Sequence, residues 1–278
     1  MILFPHAKIN LGLDITGKRP DGYHTLETVM IPTDWEDLLE LTQAEETRLV
    51  CTGRKVDCPP EKNLVMKAFR LMESETGGLP PTLIHLHKNI PDGAGLGGGS
   101  ADAAFTLRGL NDLYCLGIPT ERLAALAGML GSDCPFFIYD RPMLCTGTGT
   151  ELQPFELQSG ILENHTLAII KPPFGISTKD AYAGVRPYTG HRKPLTERLA
   201  LPLDRWQSAL GNDFERPVII ARPQIGEIKA RLSVLGAVYA QMSGSGSAVF
   251  GLFPKTDSDI LSDLLVKEFP ECAVHVSR

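Results

Sequence analysis

Apolar and polar residues alternate near the start of the chain, and this two-residue period predicts a β-strand. From Ala7 to Ile15 every second position is apolar, which places the apolar side chains on one face. Lys8 and Asn10 lie on the other face, about 7 Å apart. The pattern predicts a half-buried strand whose second face is either solvated or part of a rigid functional surface.

Strand-like and helix-like periods follow one another along the rest of the chain, which predicts an α+β protein. Strands are expected at residues 28–33, 38–42, 82–90, 167–170, 237–242 and 248–253, and helices at 64–75, 100–115 and 120–130, with Thr120 as a helix N-cap. The periodicity weakens over residues 153–163, so we predict two domains, residues 1–157 and 158–278. Residues 186–202 contain three prolines and are expected to form an exposed loop.

A glycine-rich segment between a predicted strand and a predicted helix carries the clearest chemistry. Residues 91–104 read PDGAGLGGGSADAA, with five glycines within seven positions. Glycine permits positive φ and lets a ligand approach main-chain N–H groups, and the N-terminus of the following helix attracts anions. The segment is therefore predicted to bind the phosphates of a nucleotide.

Two standard nucleotide-binding motifs fit this segment poorly. A Walker A motif needs Lys before its Ser/Thr, and here Gly99 precedes Ser100. The spacing G-x-G-x-x-G begins at Gly93, but a dinucleotide fold expects an acidic strand end about 20 residues later. Asp112 stands there, inside a predicted helix. A dinucleotide site and a glycine turn without a ligand remain the alternatives at this point.

Composition and charge exclude several classes of protein. The chain has 278 residues and a net charge of −6, without a basic run that contains aromatics, so a nucleic-acid partner is not expected. There is neither an apolar stretch near 18 residues nor a basic and apolar leader, so we expect no membrane partner and a cytoplasmic location. Six cysteines without a C-x-x-C pair predict reduced, mostly buried thiols.

Three further polar features each have a chemical and a structural explanation. Asp133 lies in a Gly-Ser turn before two aromatic residues, where it is either a partly desolvated acid or base in a cleft or a simple turn residue. The segment SGSGS at residues 243–247 either presents N–H groups to an anion or forms a hairpin turn. His85 and His87 share one strand face, which is better explained as an exposed face than as a metal site.

Together these segments contain the parts that phosphoryl transfer requires: a phosphate cradle, a cation, a metal and a carboxylate base. In order along the chain, the strand around Lys8, the glycine-rich segment and residues 242–246 resemble the three motifs of the GHMP kinases, and the resemblance runs from Pro5 to Phe253. It implies an α+β fold with an N-terminal domain like domain 2 of ribosomal protein S5 and a ferredoxin-like C-terminal domain. ATP and the substrate would bind in the cleft between the domains.

The resemblance also implies roles for individual residues. Asp133 would accept the proton of the substrate hydroxyl, and Lys8 would keep that carboxylate ionised and stabilise charge near the transferring phosphoryl group. ATP and Mg²⁺ are the implied cofactors, with Ser100 near the metal. Asn63 and Lys88 match positions that line the nucleotide pocket. The ATP phosphates would be wrapped by the loop residues Pro91, Asp92, Gly93, Ala94, Gly95, Leu96, Gly97, Gly98, Gly99, Ser100 and Ala101.

Four longer blocks carry a closer resemblance within the family. They are PHAKINLGL at residues 5–13, GKRPDGYHTLET at 17–28, GSDCPFF at 131–137 and NDFE at 212–215. They are similar to the members that phosphorylate the 2-hydroxyl of 4-diphosphocytidyl-2-C-methyl-D-erythritol in the non-mevalonate pathway to isoprenoid precursors. The implied partner is therefore a small cytidine diphosphate substrate, and the implied enzyme is a monomer or a homodimer.

This closer resemblance implies a substrate pocket. Tyr23 would stack on the cytosine, His24 would hydrogen-bond to it, and Tyr182 is the candidate for a second stacking aromatic. Asn10 and Thr178 would bind the erythritol or phosphate portion.

Two positions depart from the family pattern: Met30 stands where an aromatic is frequent, and His6 precedes Ala7 where other residues are common. Two alternatives remain. One is another GHMP kinase of homoserine or mevalonate type, and the other is a nucleotide-binding protein without catalysis.

Overall fold

The computed structural model describes residues 1–56, 58–185 and 192–278 and confirms the predicted α+β class. The strands are β1 (Ile2–Leu3), β2 (His6–Lys18), β3 (His24–Glu36), β4 (Leu38–Gln43), β5 (Arg48–Gly53), β6 (Thr82–Lys88), β7 (Met143–Thr146), β8 (Glu151–Pro154), β9 (His165–Lys171), β10 (Tyr239–Met242), β11 (Val249–Pro254) and β12 (Ala273–Val276). The helices are α1 (Leu64–Thr76), α2 (Gly98–Leu113), α3 (Thr120–Leu130), α4 (Cys134–Tyr139), α5 (Thr178–Ala183), α6 (Leu195–Leu199), α7 (Trp206–Ala209), α8 (Glu215–Ala221), α9 (Gln224–Val234) and α10 (Ser258–Glu268).

The chain forms two compact units, and each unit is assembled from several segments. The first unit comprises Met1–Lys8, Pro32–Asp92 and Gly97–Arg141. The second comprises Ile9–Ile31, Gly93–Leu96 and Pro142–Arg278. The glycine-rich loop is thus divided between them, and the domain boundary between residues 157 and 158 stays a prediction.

The first unit contains a four-stranded sheet in the order β1-β4-β6-β5. Strand β5 pairs with β6 in parallel, and the other neighbours are antiparallel. Helix α1 begins where the side chain of Asn63 accepts a hydrogen bond from the backbone N–H of Val65, and it ends at Gly77 in the left-handed conformation. Such capping provides hydrogen-bond partners for backbone groups at a helix end that have none within the helix.

The second unit contains an antiparallel sheet in the order β10-β11-β9-β12. Its inner face belongs to a buried cluster that includes Ala168 and Ile170 of β9 and Met242 and Val249 from the β10–β11 hairpin. A further sheet has the order β2-β3-β7-β8. The hairpin holds the SGSGS segment at its turn, so the structure supports the hairpin interpretation of that segment.

Element boundaries differ from the predictions at three places. Helix α2 begins at Gly98, two residues before the predicted start, so two glycines of the loop belong to its first turn. The N-cap of α3 is Pro119, and Thr120 is its first helical residue, so the predicted cap was wrong. In the predicted loop at residues 186–202, residues 195–199 form a helix with Leu195 and Leu199 buried; residues 186–191 lie outside the described residues.

Strand β2 is buried on both faces from His6 to Ile15, so the prediction of a half-buried strand was wrong. Lys8 is 3% exposed and Asn10 is 2% exposed. A polar side chain is stable in such a place only with partners that replace water. The solvated-face explanation is therefore excluded for these two residues.

The six cysteines are all free, as predicted, but they are not mostly buried. Cys134 and Cys145 are buried and Cys272 is intermediate. Cys51, Cys58 and Cys115 are exposed.

Candidate active site

Lys8 and Asp133 meet in the first unit although 124 residues separate them in sequence. The Lys8 Nζ atom lies 3.6 Å from Asp133 Oδ2, and the two side chains are 4% and 31% exposed. The lysine stem is thus enclosed while its head faces a carboxylate that solvent still reaches. The ammonium group and the carboxylate are close enough for an electrostatic interaction that solvent screens only in part.

The local structure explains why the carboxylate of Asp133 is available. Asp133 occupies the N-cap position of α4, but its side chain makes no capping hydrogen bond there. Pro135 lies in the first turn of that helix, where proline costs no hydrogen bond. Asp133 therefore occupies a turn, but its side chain does not cap the helix that follows.

The second half of the glycine-rich loop lies against Lys8 and the ring of Phe137. Gly97 has a φ of 73°, and a Cβ at this position would lie 2.9 Å from Phe137 Cζ and 3.2 Å from Lys8 Cγ. Only glycine satisfies both the left-handed backbone and the close approach. The first N–H groups of α2, which follows directly, have no partners within the helix and are suited to an anion.

The first half of the loop, in the second unit, packs on the β10–β11 hairpin. A Cβ on Gly95 would lie 2.2 Å from the carbonyl oxygen of Ser243. The hydroxyl of Ser243 donates to the Gly95 carbonyl at 3.0 Å, and the N–H of Ala248 donates to the Ala94 carbonyl at 3.0 Å. The two Gly-rich segments are therefore joined by backbone contacts, with the hairpin turn supporting the loop.

The hairpin is held in turn by the NDFE block. Asn212 Nδ2 donates to the carbonyl oxygens of Met242 and Gly244, both at 2.8 Å. Glu215 Oε1 accepts from the N–H of Met242 at 2.8 Å. Both residues are buried. Neither was predicted as a site residue, because a short polar block carries no signal of the distant backbone that it serves.

Ser100 is the third residue of α2 and was predicted to lie near the metal. A Cβ on Gly131 would lie 4.0 Å from Ser100 Oγ, so this hydroxyl is close to the turn that carries Asp133. Within the described residues there is no group of three His, Cys, Asp or Glu side chains arranged to hold a metal ion.

Asn63 borders a pocket of about 310 Å³ in the first unit. The pocket wall is formed by Leu49, Cys51, Thr52, Gly53, Arg54, Lys55, Val56, Cys58, Pro60 and Asn63. Asn63 uses its side-chain oxygen to cap α1 at 2.9 Å from the Val65 nitrogen. That Asn63 lies beside a nucleotide pocket stays a prediction. The structure shows that a cavity is present at this position.

Lys88, predicted to line the nucleotide pocket, has its ammonium group buried between two carboxylates. Its Nζ atom bonds to Asp37 Oδ2 and, at 2.7 Å, to Asp102 Oδ2. Asp37 Oδ1 also accepts from the N–H groups of Asn89 and Ile90, at 2.5 and 2.8 Å. This triad connects the residues just before the glycine-rich loop with the helix just after it.

Burial and charge act in opposite directions within the triad. Burial raises the pKa of Asp102 to about 8, against the lowering effect of the Lys88 charge. Burial lowers the pKa of Lys88, but the two carboxylates outweigh it and raise the value above normal. Among the described residues Asp102 Oδ1 has no hydrogen-bond partner. Burial thus opposes the ionised state of Asp102, while the Lys88 charge favours it.

Two of the predicted substrate residues meet in the second unit. The rings of His24 and Tyr182 stack with centroids 5.2 Å apart and planes at 20°. Phe214 meets Tyr182 edge to face at 4.8 Å. Tyr23 lies just before β3 with 68% of its surface exposed. The structure thus pairs His24 with Tyr182 and leaves the Tyr23 ring accessible.

The other predicted substrate residues have defined surroundings. Asn10 Nδ2 donates to the hydroxyl of Thr28 at 3.0 Å, and that hydroxyl donates to the Gly12 carbonyl at 2.6 Å. Thr178 begins α5, and its hydroxyl lies 3.5 Å from that of Ser245 in the hairpin turn. Asn10 is therefore held in one orientation, whereas Thr178 borders the Gly/Ser segment.

A second polar cluster of the first unit contains His6. Its Nε2 atom lies 2.6 Å from Asp140 Oδ1, and its Nδ1 atom lies 2.9 Å from the Ala7 carbonyl oxygen. Asp140 Oδ2 accepts from Arg108 at 2.8 Å. The hydrogen bond from His6, assisted by Arg108 and opposed by burial, holds the pKa of Asp140 at about 2.

This pKa predicts how the stability contribution of Asp140 changes with pH. A carboxyl whose folded pKa lies below its ordinary value stabilises the protein above that value and loses the contribution as the pH falls through the folded pKa. The excess stability of the wild type over Asp140→Asn should be fully present above about pH 4 and should shrink towards pH 2. Urea unfolding of both proteins across this range measures it, and a pH-independent difference would contradict the assignment.

His85 and His87 do not form a metal site with a third ligand in the described part of the chain. Both rings hydrogen-bond to the hydroxyl of Thr52, at 2.8 and 3.0 Å. Within the same described residues, no helix is both long and apolar enough to cross a bilayer.

Two family models match the chain. The N-terminal domain of GHMP kinases matches residues 63–141, and the C-terminal domain of GHMP kinases matches residues 199–270. Among solved structures, one described as 4-(cytidine 5'-diphospho)-2C-methyl-D-erythritol kinase has a TM-score of 0.81 and 30% identity, covering 100% of this chain and 98% of its own. A mevalonate kinase structure has a TM-score of 0.73 at 13% identity over 100% and 98% of the two chains, which shows the shared fold.

Curated proteins give a closer comparison. A 4-diphosphocytidyl-2-C-methyl-D-erythritol kinase of Parabacteroides distasonis is 48% identical over 255 residues, covering 92% of each chain. The protein of the same name from Bacteroides fragilis is 48% identical over 258 residues, covering 91% of this chain and 92% of its own. Identity at this level over nearly the full length shows the family as well as the two-domain GHMP kinase fold. The chain is a member of the GHMP kinase superfamily and, within it, of the 4-diphosphocytidyl-2-C-methyl-D-erythritol kinase family.

Proposed function

We propose that this protein transfers the γ-phosphoryl group of ATP to the 2-hydroxyl of 4-diphosphocytidyl-2-C-methyl-D-erythritol, giving the 2-phosphate and ADP. The observation that carries the chemistry is the Lys8–Asp133 pair at 3.6 Å, which lies beside the glycine turn at Gly97. The names of the relatives support the choice of substrate. The six free thiols support a cytoplasmic reaction.

Asp133 and Lys8 have different roles in the transfer. Asp133 accepts the proton of the substrate hydroxyl. The hydroxyl oxygen attacks the γ-phosphorus of ATP, and the bond between that phosphorus and the bridging oxygen of the β-phosphate breaks. Lys8 keeps that carboxylate ionised before the attack and neutralises charge on the transferring group. The N–H groups at the start of α2 hold the phosphates in place, and no phosphorylated enzyme is formed.

Mg²⁺ is proposed to bind near Ser100. The hydroxyl of Ser100 is close to the Asp133 turn, and phosphate oxygens of ATP would supply further ligands. Bound there, the ion would neutralise charge on the phosphates during transfer. Pro91 to Ala101 would surround the ATP phosphates, and Asn63 and Lys88 would lie near the nucleoside.

The cytidine is proposed to bind at His24 and the two tyrosines. A third ring does not fit between rings whose centroids are 5.2 Å apart, so cytosine would reach the Tyr182 face only if His24 turned away from it. His24 would then offer its edge for hydrogen bonding, and the exposed Tyr23 ring would cover the second face of the base. Asn10 and Thr178 would bind the erythritol or phosphate portion.

A substrate panel tests the proposed function. The protein is incubated with ATP, Mg²⁺ and one of three alcohols, namely the cytidine diphosphate substrate, homoserine or mevalonate, and ADP release is measured. We expect turnover of the cytidine compound alone. Turnover of homoserine or mevalonate instead would identify another GHMP kinase, and ATP binding without turnover of the cytidine compound would indicate a non-catalytic protein.

Replacing Tyr182 tests the cytidine pocket separately. Stacking of a base on an aromatic side chain is worth about 1–3 kcal/mol, so Tyr182→Ala should raise KM for the cytidine substrate by about tenfold or more, with KM for ATP nearly unchanged. Tyr182→Phe retains the ring and serves as the matched control. Steady-state kinetics with each substrate varied in turn measures both constants, and equal KM values for Tyr182→Ala and the wild type would remove Tyr182 from the pocket.

A further inference from the structure

Both ring nitrogens of His6 have hydrogen-bond partners in this structure. The Nδ1 atom lies 2.9 Å from the carbonyl oxygen of Ala7, and the Nε2 atom lies 2.6 Å from Asp140 Oδ1. Partners on both nitrogens fix the orientation of the ring. The charged groups that face it are Asp140 and, beyond it, Arg108.

The ring is enclosed as well as hydrogen-bonded. His6 is 8% exposed, and its ring meets Phe105 edge to face at 5.5 Å and Phe137 at 5.4 Å. Phe137 is the residue whose ring lies against Gly97. Charge-assisted hydrogen bonds in enclosed places are short and strong, so the His6–Asp140 contact is suited to fixing positions.

The contact links the two elements that carry the proposed catalytic pair. His6 begins β2 and points to the same side of the strand as Lys8, two residues later. Asp140 is the C-cap of α4, in the left-handed conformation, and Asp133 is the N-cap of the same helix. One end of this six-residue helix is therefore tied to the strand through His6, while the other end faces Lys8 at 3.6 Å.

We propose that His6 is a positioning residue for phosphoryl transfer: through Asp140 it holds α4 against β2 and so sets the distance between Lys8 and Asp133. The proposal rests on the catalytic roles given to that pair under the proposed function. A separation of 3.6 Å is longer than a direct hydrogen bond, so the distance between the two groups depends on the elements that carry them. A displacement of about 1 Å in a reacting group can cost roughly a hundredfold in rate.

The test compares His6→Leu, His6→Gln and Asp140→Asn with the wild type by steady-state kinetics at a temperature well below every melting point. His6→Leu should lower kcat by about 10- to 100-fold while KM for ATP and for the cytidine substrate changes less than about twofold. His6→Gln, whose amide N–H reaches the position of Nε2, should recover most of the lost kcat. The double variant His6→Leu/Asp140→Asn should be about as slow as His6→Leu, because the His6–Asp140 contact is already lost in the single variant and the amide oxygen introduced at position 140 can still accept from Arg108.

A histidine of the second unit, outside this cluster, provides the control. His275→Leu, in β12 of the second unit, should leave kcat unchanged. The proposal is overturned if His6→Leu retains kcat while Lys8→Met and Asp133→Asn are inactive, or if His6→Gln fails to recover kcat despite a wild-type melting temperature. If Lys8→Met and Asp133→Asn are themselves active, the assigned roles of the pair fail instead, so the two failures are distinguishable.

Discussion

Asp133→Asn should lower kcat by about a thousandfold, with KM for ATP and for the cytidine substrate changed by only a few-fold. A positioned base contributes about 10² to 10⁴ to the rate of proton transfer, and the amide keeps the shape of the carboxylate but accepts no proton. Lys8→Met should have a comparable effect, because it removes the charge 3.6 Å from Asp133 Oδ2. Single-turnover measurement of phosphorylated product separates the chemical step from product release.

Two exposed residues provide matched controls for these substitutions. Asp263→Asn in α10 and Lys255→Met after β11 change the same side-chain types at exposed positions, and both variants should retain the wild-type kcat. If Asp133→Asn kept kcat within about threefold, another group would have to act as the base. If Lys8→Met kept the wild-type kcat while Asp133→Asn lost it, the positive charge of Lys8 would not contribute to the transfer.

Lys88→Met should lower the free energy of unfolding by about 3–5 kcal/mol. The substitution leaves Asp37 and Asp102 buried without their cation, and removing one partner of a buried ion pair costs about that much. Asp37 and Lys88 are 0% and 3% exposed at their side chains, so water offers little compensation. Urea unfolding monitored by far-UV circular dichroism measures the loss.

Asp102→Asn is the control for this prediction. An amide resembles the neutral carboxyl that the raised pKa of Asp102 favours, so this variant should lose less than about 1 kcal/mol. An equal loss in both variants would mean that Asp102 is ionised in the folded protein. A Lys88→Met variant of wild-type stability would show that Lys88 is not needed to compensate the carboxylates.

Local patterns predicted much of the fold. Helix α1 was predicted at residues 64–75 and spans Leu64–Thr76, because an amphipathic period is a property of consecutive residues. Strand β2 was predicted in the right place but with the wrong exposure, since a polar face that is buried by distant segments looks the same in sequence as a solvated one. Helix α6 was not predicted, because the prolines around it favoured an irregular loop.

The candidate site was less accessible to local reasoning. The composition of the glycine-rich loop predicted phosphate binding. The pairing of Lys8 with Asp133 was predicted from the family resemblance alone. Asp37 and Asp102 were not predicted at all: each is an ordinary acidic residue in sequence, and only the fold shows that both face Lys88. Contacts between distant residues carry no periodic signal.

The division of the chain into interleaved units has a consequence for its synthesis. The chain passes from one unit to the other after residues 8, 31, 92, 96 and 141, so neither unit is a continuous stretch. The N–H of Gly12 donates to Gln241 and that of Ile15 donates to Asp213, so β2 is bonded to segments that come much later in the chain. At roughly 5–20 residues per second, this strand leaves the ribosome on the order of ten seconds before these two partners are synthesised. During that interval β2 has only its nearer partners, such as β3, to protect it from aggregation.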